Sequence, residues 1–189
     1  NLTLVDCINK VENLIQYAFD LGLYGLAITD HEALCGHIKA RDFIENKRKS
    51  RDEELAKKWK DFKLILGNEI YLCRNSLSES NFISGQDKFY HFILLAKDEI
   101  GHNQLQELSS RAWDRSWMRF IRRRPTYYSD IEEIVGKDPG HIIASTACIG
   151  GFLGTTILKY GADSKNKSKY QQEIIDFLNW CVNIFGEEN

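Results

Sequence analysis

Four short runs of apolar and β-branched residues punctuate this chain: 25–29 (GLAIT), 63–66 (KLIL), 89–97 (FYHFILLAK) and 141–146 (HIIAST). Each is too short for a free-standing helix and is bounded by Gly, Asp, Asn or other turn-forming residues, so each reads as a buried strand. The segments between them carry helical periodicity. Alternation of strand and helix favours an α/β fold with a mostly parallel sheet or a barrel. In such folds the loops after strand ends gather ligating and catalytic side chains, so the residues that close each run matter most.

The helical segments follow from the spacing of apolar residues. From Ile8 onward, Val11, Leu14, Ile15, Ala18 and Phe19 share one helical face, and Gly22 supplies a stop. Residues 39–61 mix both charge signs and read as one or two exposed helices. The run at 63–66 is expected to break at Gly67-Asn68, with Glu69 opening a second β-rich piece, and 74–88 is a polar loop. Residues 103–121 are helical by period. Ser129 with Glu132 predicts a capping box for a helix over 130–135, and 137–140 reads as a turn. A helix from 152, a surface connection at 162–169 and a last amphipathic helix at 170–186 complete the pass.

At 189 residues with 43% hydrophobic content, the chain is long enough for one core. Its formal charge of −2 gives no global attraction to nucleic acid or membrane, and no apolar run approaches a membrane span. The 5 cysteines are odd in number and form no C-x-x-C pair, which points to reduced thiols and a cytoplasmic setting. The amino end lacks both a secretion pattern and an initiator Met, so the chain reads as an excised segment.

The runs end on groups that bind metals. Asp30 and His31 follow the first, Glu69 the second, and Cys148 the fourth, while His91 stands near the start of the third. This is a mixed set of N, O and S donors suited to zinc or a related divalent ion. Each residue alone also fits a packed, hydrogen-bonded side chain, and spacing does not show that they converge. His91 is at odds with the strand-end rule. A second feature is basic: in RAWDRSWMRFIRRR, Arg111, Arg115, Arg119 and Arg122 fall on one helical face, with Trp113, Trp117 and Phe120 nearly opposite. Such a stripe suits contact with DNA phosphates or is simply a solvated face. No Ser-His-Asp order, Walker A loop or G-x-G-x-x-G is present, which disfavours acyl transfer and nucleotide binding through those motifs.

Four longer stretches carry a resemblance. LGLYGLAITDHEALCGHIKA, LILGNEIYL, YHFILLAKDEIGHNQLQELSSRAW and HIIASTACIGG occur in the order and form of the polymerase-and-histidinol-phosphatase (PHP) domain of bacterial and phage C-family replicative polymerases. The chain is similar to the amino-terminal region of a DNA polymerase III α subunit over nearly its whole length. The resemblance implies a single PHP domain over 1–189, a partial, distorted (β/α)7 TIM-like barrel lacking its first strand and its C-terminal part. It implies two or three divalent ions (Zn, Mn or Mg) held by His31 of TDH, Glu69 of GNE as a bridging carboxylate, His91 of YHF and Cys148 of STAC. Asp30 is then a ligand or a group orienting an imidazole. Asp6 matches the acid after the family's first motif, or else caps a helix starting at Cys7. His37, His102 and His141 match no ligand position and are expected to be structural or exposed.

The same resemblance implies phosphoesterase chemistry, such as 3′–5′ trimming of DNA, inside a DNA-directed DNA polymerase. Its partners would be DNA, the remaining polymerase domains and replisome subunits. The family also contains members that have lost ligands and serve as scaffolds for the polymerase or for a separate proofreading subunit. A first strand bearing His-x-His-Thr is expected before Asn1, and an Asp-x-His motif after Asn189. Without those groups the metals would be underligated and the chain alone feeble as an enzyme.

Overall fold

The computed structural model describes residues 9–74, 89–115, 123–160 and 167–189. Asp6, Trp117, Arg119, Phe120 and Arg122 lie outside the described residues. The elements run α1 (Val11–Asp20), β1 (Gly25–Ile28), α2 (Cys35–Arg48), α3 (Glu53–Asp61), β2 (Lys63–Cys73) and β3 (Tyr90–Ala96). They continue with α4 (Glu99–Asp114), β4 (Pro125–Tyr127), α5 (Tyr128–Ile134), β5 (Ile142–Ser145), α6 (Phe152–Tyr160) and α7 (Lys167–Phe185).

The chain is a mixed α/β fold built on an open 5-stranded sheet in the order β1-β2-β3-β5, with β4 paired to β2. β1 and β4 run parallel to β2 and share one of its edges, at Lys63 to Leu66 and at Tyr71 to Cys73 respectively. β3 occupies the other edge and is antiparallel to both β2 and β5. The expectation of a mostly parallel sheet is therefore corrected to a mixed one. The β2–β3 pairs from Gly67–Leu95 to Leu72–Tyr90 are all antiparallel, and an antiparallel neighbour needs no crossover connection.

β2 does not break at Gly67-Asn68. A Cβ on Gly67 would lie 2.6 Å from Leu95 Cδ2, 2.7 Å from the Leu94 carbonyl oxygen and 3.0 Å from Thr29 Cγ2. The glycine is there because neighbouring strands press against it, and the strand continues through. The charged stretch at 39–61 resolves into parts of α2 and α3, whose inner faces are buried rather than exposed. Ala40, Ile44 and Trp59 join Val11, Ile15, Ala18 and Ile28 in a core against β1. Phe19 stacks on Trp59 with centroids 3.8 Å apart. Arg48 binds the two helices by donating to the Trp59 and Phe62 carbonyls at 3.2 and 3.3 Å.

A second core lies on one face of the central strands. Ile70 and Leu72 of β2, Phe92 and Leu94 of β3 and Ile142 of β5 pack with Leu105, Leu108, Ile131, Phe152, Phe177 and Phe185 from the four later helices. Burying side chains of this size contributes about 1.5–3 kcal/mol each. Because strand residues alternate, the opposite face of the same strands carries Glu69, Tyr71, His91 and Ile93.

Two local readings are corrected here. α5 begins at Tyr128, and its cap is not the Ser129–Glu132 pair: the Tyr127 N–H donates to Asp130 Oδ2 at 2.8 Å. Glu132 instead accepts from Trp180 Nε1 at 2.9 Å, tying α5 to α7. Among the described residues Cys35, Cys73, Cys148 and Cys181 are free thiols, and no helix is long and apolar enough to cross a membrane.

Candidate metal centre

Glu69 stands in the middle of β2, between the stretch paired with β1 and the stretch paired with β4. His31 reaches it through a parallel bridge just past the end of β1. The backbone fixes this register from both sides of the imidazole: Glu69 N–H donates to the Asp30 carbonyl at 3.1 Å, and Glu32 N–H donates to the Glu69 carbonyl at 3.0 Å. Asn68, 2% exposed, adds side-chain donation to the Asp30 and Ala33 carbonyls.

His91 is paired with Tyr71 across the β2–β3 ladder. This resolves its place near the start of a strand. β3 runs antiparallel, so its first residues lie beside the last residues of β2 and at the same end of the sheet as the close of β5. The strand-end rule holds for parallel strands, and His91 enters from a strand running the other way.

Cys148 arrives on the loop after β5. His91 N–H donates to the Gly150 carbonyl at 3.2 Å, and Gly151 N–H donates to the Cys148 carbonyl at 2.9 Å. A Cβ on Gly151 would fall 2.2 Å from the Thr146 carbonyl oxygen, so this turn requires glycine. The non-glycine residues at positive φ, Glu32 and Ala147 at 56° each, sit directly beside His31 and Cys148. Left-handed backbone costs about 1–2 kcal/mol at such positions.

The side chains converge. Glu69 Oε1 is 2.9 Å from His91 Nδ1, and Glu69 Oε2 is 3.5 Å from His31 Nε2. One ligand atom from each of His31, Glu69 and His91 lies within 4.8 Å of the others. Cys148 Sγ is 3.4 Å from His91 Nδ1. Glu69 and His31 side chains are 17% exposed and His91 27%, which admits water or a small ion while keeping the groups largely desolvated. Two imidazoles and a carboxylate suit zinc or another borderline divalent ion, and three protein donors with room for a further ligand are the pattern of open, reactive sites. The residues present therefore fit a divalent metal.

The remaining sequence candidates separate. Asp30 contributes its carbonyl to the register. Arg111 is held by Glu107 and Glu133 at 2.8 and 2.7 Å. Arg115 pairs with Asp130 at 2.7 Å, donates to the Pro125 carbonyl and lies 4.2 Å from the Tyr127 ring centre. Arg111 thus ties α4 to α5, and Arg115, just past α4, adds β4 to the same set. His37 is buried, its Nε2 2.9 Å from the Gly67 carbonyl and its Nδ1 3.1 Å from His102 Nε2. His141 contacts Asp98 at 2.6 Å.

Sequence reasoning missed Tyr71 and Glu32. Tyr71 stacks on His31 (5.5 Å, 12°) and meets His91 edge-on (5.1 Å, 83°), so it sets both ring planes. Its position two residues after Glu69, on the same strand face, is the signal that could have found it. Glu32 accepts the Arg124 backbone N–H on its carboxylate and Trp113 Nε1 on its carbonyl, the latter at 2.6 Å. Burial raises the Glu32 pKa against the Arg124 N–H and the nearby Arg123 charge, which lower it.

With this geometry in place, comparison with known proteins gives its class. The chain belongs to the PHP domain family, whose profile matches residues 1–189. It is 42% identical over 196 residues to the DNA-directed DNA polymerase of Bacillus phage SPbeta, covering 100% of this chain and 15% of that protein. It is 30% identical over 191 residues to DNA polymerase III subunit alpha of Borreliella burgdorferi, covering 98% of this chain and 14% of that protein. The corresponding subunit of Treponema pallidum is 25% identical over 161 residues, 84% of this chain and 12% of the relative. The chain thus spans about a seventh of the curated relatives it matches. A solved structure from Bifidobacterium adolescentis overlays 59% of this chain and 32% of its own at TM-score 0.32 and 19% identity, a level that carries no structural argument.

Proposed function

We propose that His31, Glu69, His91 and Cys148 hold divalent ions, Zn, Mn or Mg, in a phosphoesterase site of a DNA-directed DNA polymerase, where the chemistry is 3′–5′ trimming of a DNA strand. The observation that carries this reading is the convergence of His31, Glu69 and His91 ligand atoms within 4.8 Å, from β2, β3 and the residues just past β1. Polymerases among the relatives support DNA as substrate, and further polymerase domains and replisome subunits as partners. In this reading the open sheet is part of the family's distorted barrel, Asp6 serves as a further ligand, Asp30 orients an imidazole, and Arg119 and Arg122 add affinity for DNA.

When bound, a divalent ion supplies Lewis acidity to a phosphoryl oxygen and makes a nucleophile of water at neutral pH. The protein does the rest. Glu69 points one oxygen at each imidazole and holds both rings facing the same space. Tyr71 packs against both rings and limits their rotation. Cys148 adds a soft donor beside His91, favouring zinc over magnesium.

The test is calorimetric titration of the chain with zinc and with manganese, which does not depend on turnover by a chain expected to be feeble as an enzyme on its own. Glu69→Gln and His91→Ala should each weaken metal binding by at least about tenfold, with little change in melting midpoint. A wild-type chain with no saturable metal binding would sink the proposal.

A further inference from the structure

Arg123 lies just ahead of β4, the strand that pairs with the end of β2. Its guanidinium carbon is 4.5 Å from the centre of the Tyr71 ring, the same ring that stacks on His31 at 5.5 Å. Laid end to end, those two distances place the guanidinium no more than about 10 Å from the His31 ring. Tyr71 is 5% exposed and fixed by the sheet, whereas Arg123 is exposed.

A guanidinium stacked on an aromatic ring uses its face for that contact. Its five N–H donors lie in the plane and stay available to a bidentate acceptor such as phosphate. Among the described residues, the arginines in ion pairs are Arg48, Arg111 and Arg115. The acid that feels the Arg123 charge is Glu32, and its carboxylate already accepts the Arg124 backbone N–H. Arg123 is thus a cation that is held in place, faces water, and borders a cluster suited to phosphoester chemistry.

We propose that Arg123 is a phosphate-binding residue of this site. It receives a phosphate of a single-stranded DNA whose neighbouring phosphate reaches the His31, Glu69 and His91 cluster. The assignment rests on the phosphoesterase reading above. A separation of up to about 10 Å leaves room for successive phosphates of one strand, one at the guanidinium and the next at the cluster.

The experiment measures binding of a short single-stranded oligothymidylate to the metal-free chain across a salt series, by fluorescence anisotropy. Arg123→Gln should weaken binding several-fold and make the salt dependence shallower by about 0.7, the value for one lost phosphate contact on a single strand. Arg123→Lys should keep the slope, since the charge remains, with affinity between the two because the planar fork is gone. Should Arg123→Gln melt below wild type, a neutral methylphosphonate linkage scanned along the oligonucleotide reads the same contact on the intact chain, and one position must cost that slope. Equal slopes for wild type and Arg123→Gln, no sensitive linkage, or no binding by wild type would overturn the assignment. A chain that takes up no zinc yet shows the slope change would overturn the metal reading and support this one.

Discussion

Asp130 shows how many contacts one carboxylate can satisfy. It is 5% exposed, caps α5 through Tyr127 N–H, and takes the Arg115 guanidinium at 2.7 Å, with Arg111 3.9 Å away. A buried carboxylate of this kind is tolerable only while its partners remain, so the arginine is a structural counterion first. Arg115→Ala is expected to lower unfolding free energy by about 2–3 kcal/mol, because it strands a desolvated charge and removes the Tyr127 stack. Urea unfolding checks this, and a loss below about 0.5 kcal/mol, the range of an ordinary surface substitution, would show the pair to be decorative. Periodicity shows the stripe of arginines but not their neighbours, and Arg111 and Arg115 face acids from α4 and α5.

At the scale of elements, β2 carries most of the architecture, and it was only half legible. Its first half was readable from Leu64, Ile65 and Leu66, and the ligand type from Glu69. Its continuity was hidden because glycine marks both a turn and a place where another strand comes close, and Gly67 is the second kind. Gly67→Ala would put a methyl 2.6 Å from Leu95 Cδ2 and 2.7 Å from the Leu94 carbonyl. Overpacking of this sort costs about 1–3 kcal/mol. The expected result is a lower melting midpoint together with faster amide exchange at β2–β3 pairs, and an unshifted midpoint would mean that the strands part freely. β4 was missed because a three-residue strand opening on Pro125 has no period and begins with a residue that cannot donate to a ladder. Strand direction was misjudged for a different reason: alternation of helix and strand constrains layers, but does not fix the direction in which β3 pairs with β2. The apolar face of α1, by contrast, was read from Val11, Ile15 and Ala18, all buried, although Leu14 of the same expected face is exposed.

For the whole molecule, acid lowers stability, and the sign follows from the His37–His102 pair. Their contacts are all satisfied when both rings are neutral: the Gln106 amide donates to His102 Nδ1, His102 Nε2–H to His37 Nδ1, and His37 Nε2–H to the Gly67 carbonyl. Burial lowers the His37 pKa, against the Gly67 carbonyl and the Asp30 charge, and burial with the Arg41 charge lowers that of His102. The unfolded chain then binds more protons below about 6.5, so this stability is whole above that pH and drains as pH falls through the lowered folded values. His141, raised by its hydrogen bond to Asp98, runs the other way, but at an exposed position where such pairs count for little. Melting midpoints should drop on acidification below about 6.5, and His37→Gln should flatten that dependence; parallel curves for the two proteins would exclude the pair as its source. The sheet separates two inheritances in the same way that it separates two environments. Ile70, Leu72, Phe92 and Leu94 hold the helices on one side, while Glu69, Tyr71 and His91 alternate with them on the other. Selection can therefore act on one set without consulting the other. A descendant of this chain could trade every donor for an inert side chain and still fold, and its shape alone would never betray that the chemistry had gone.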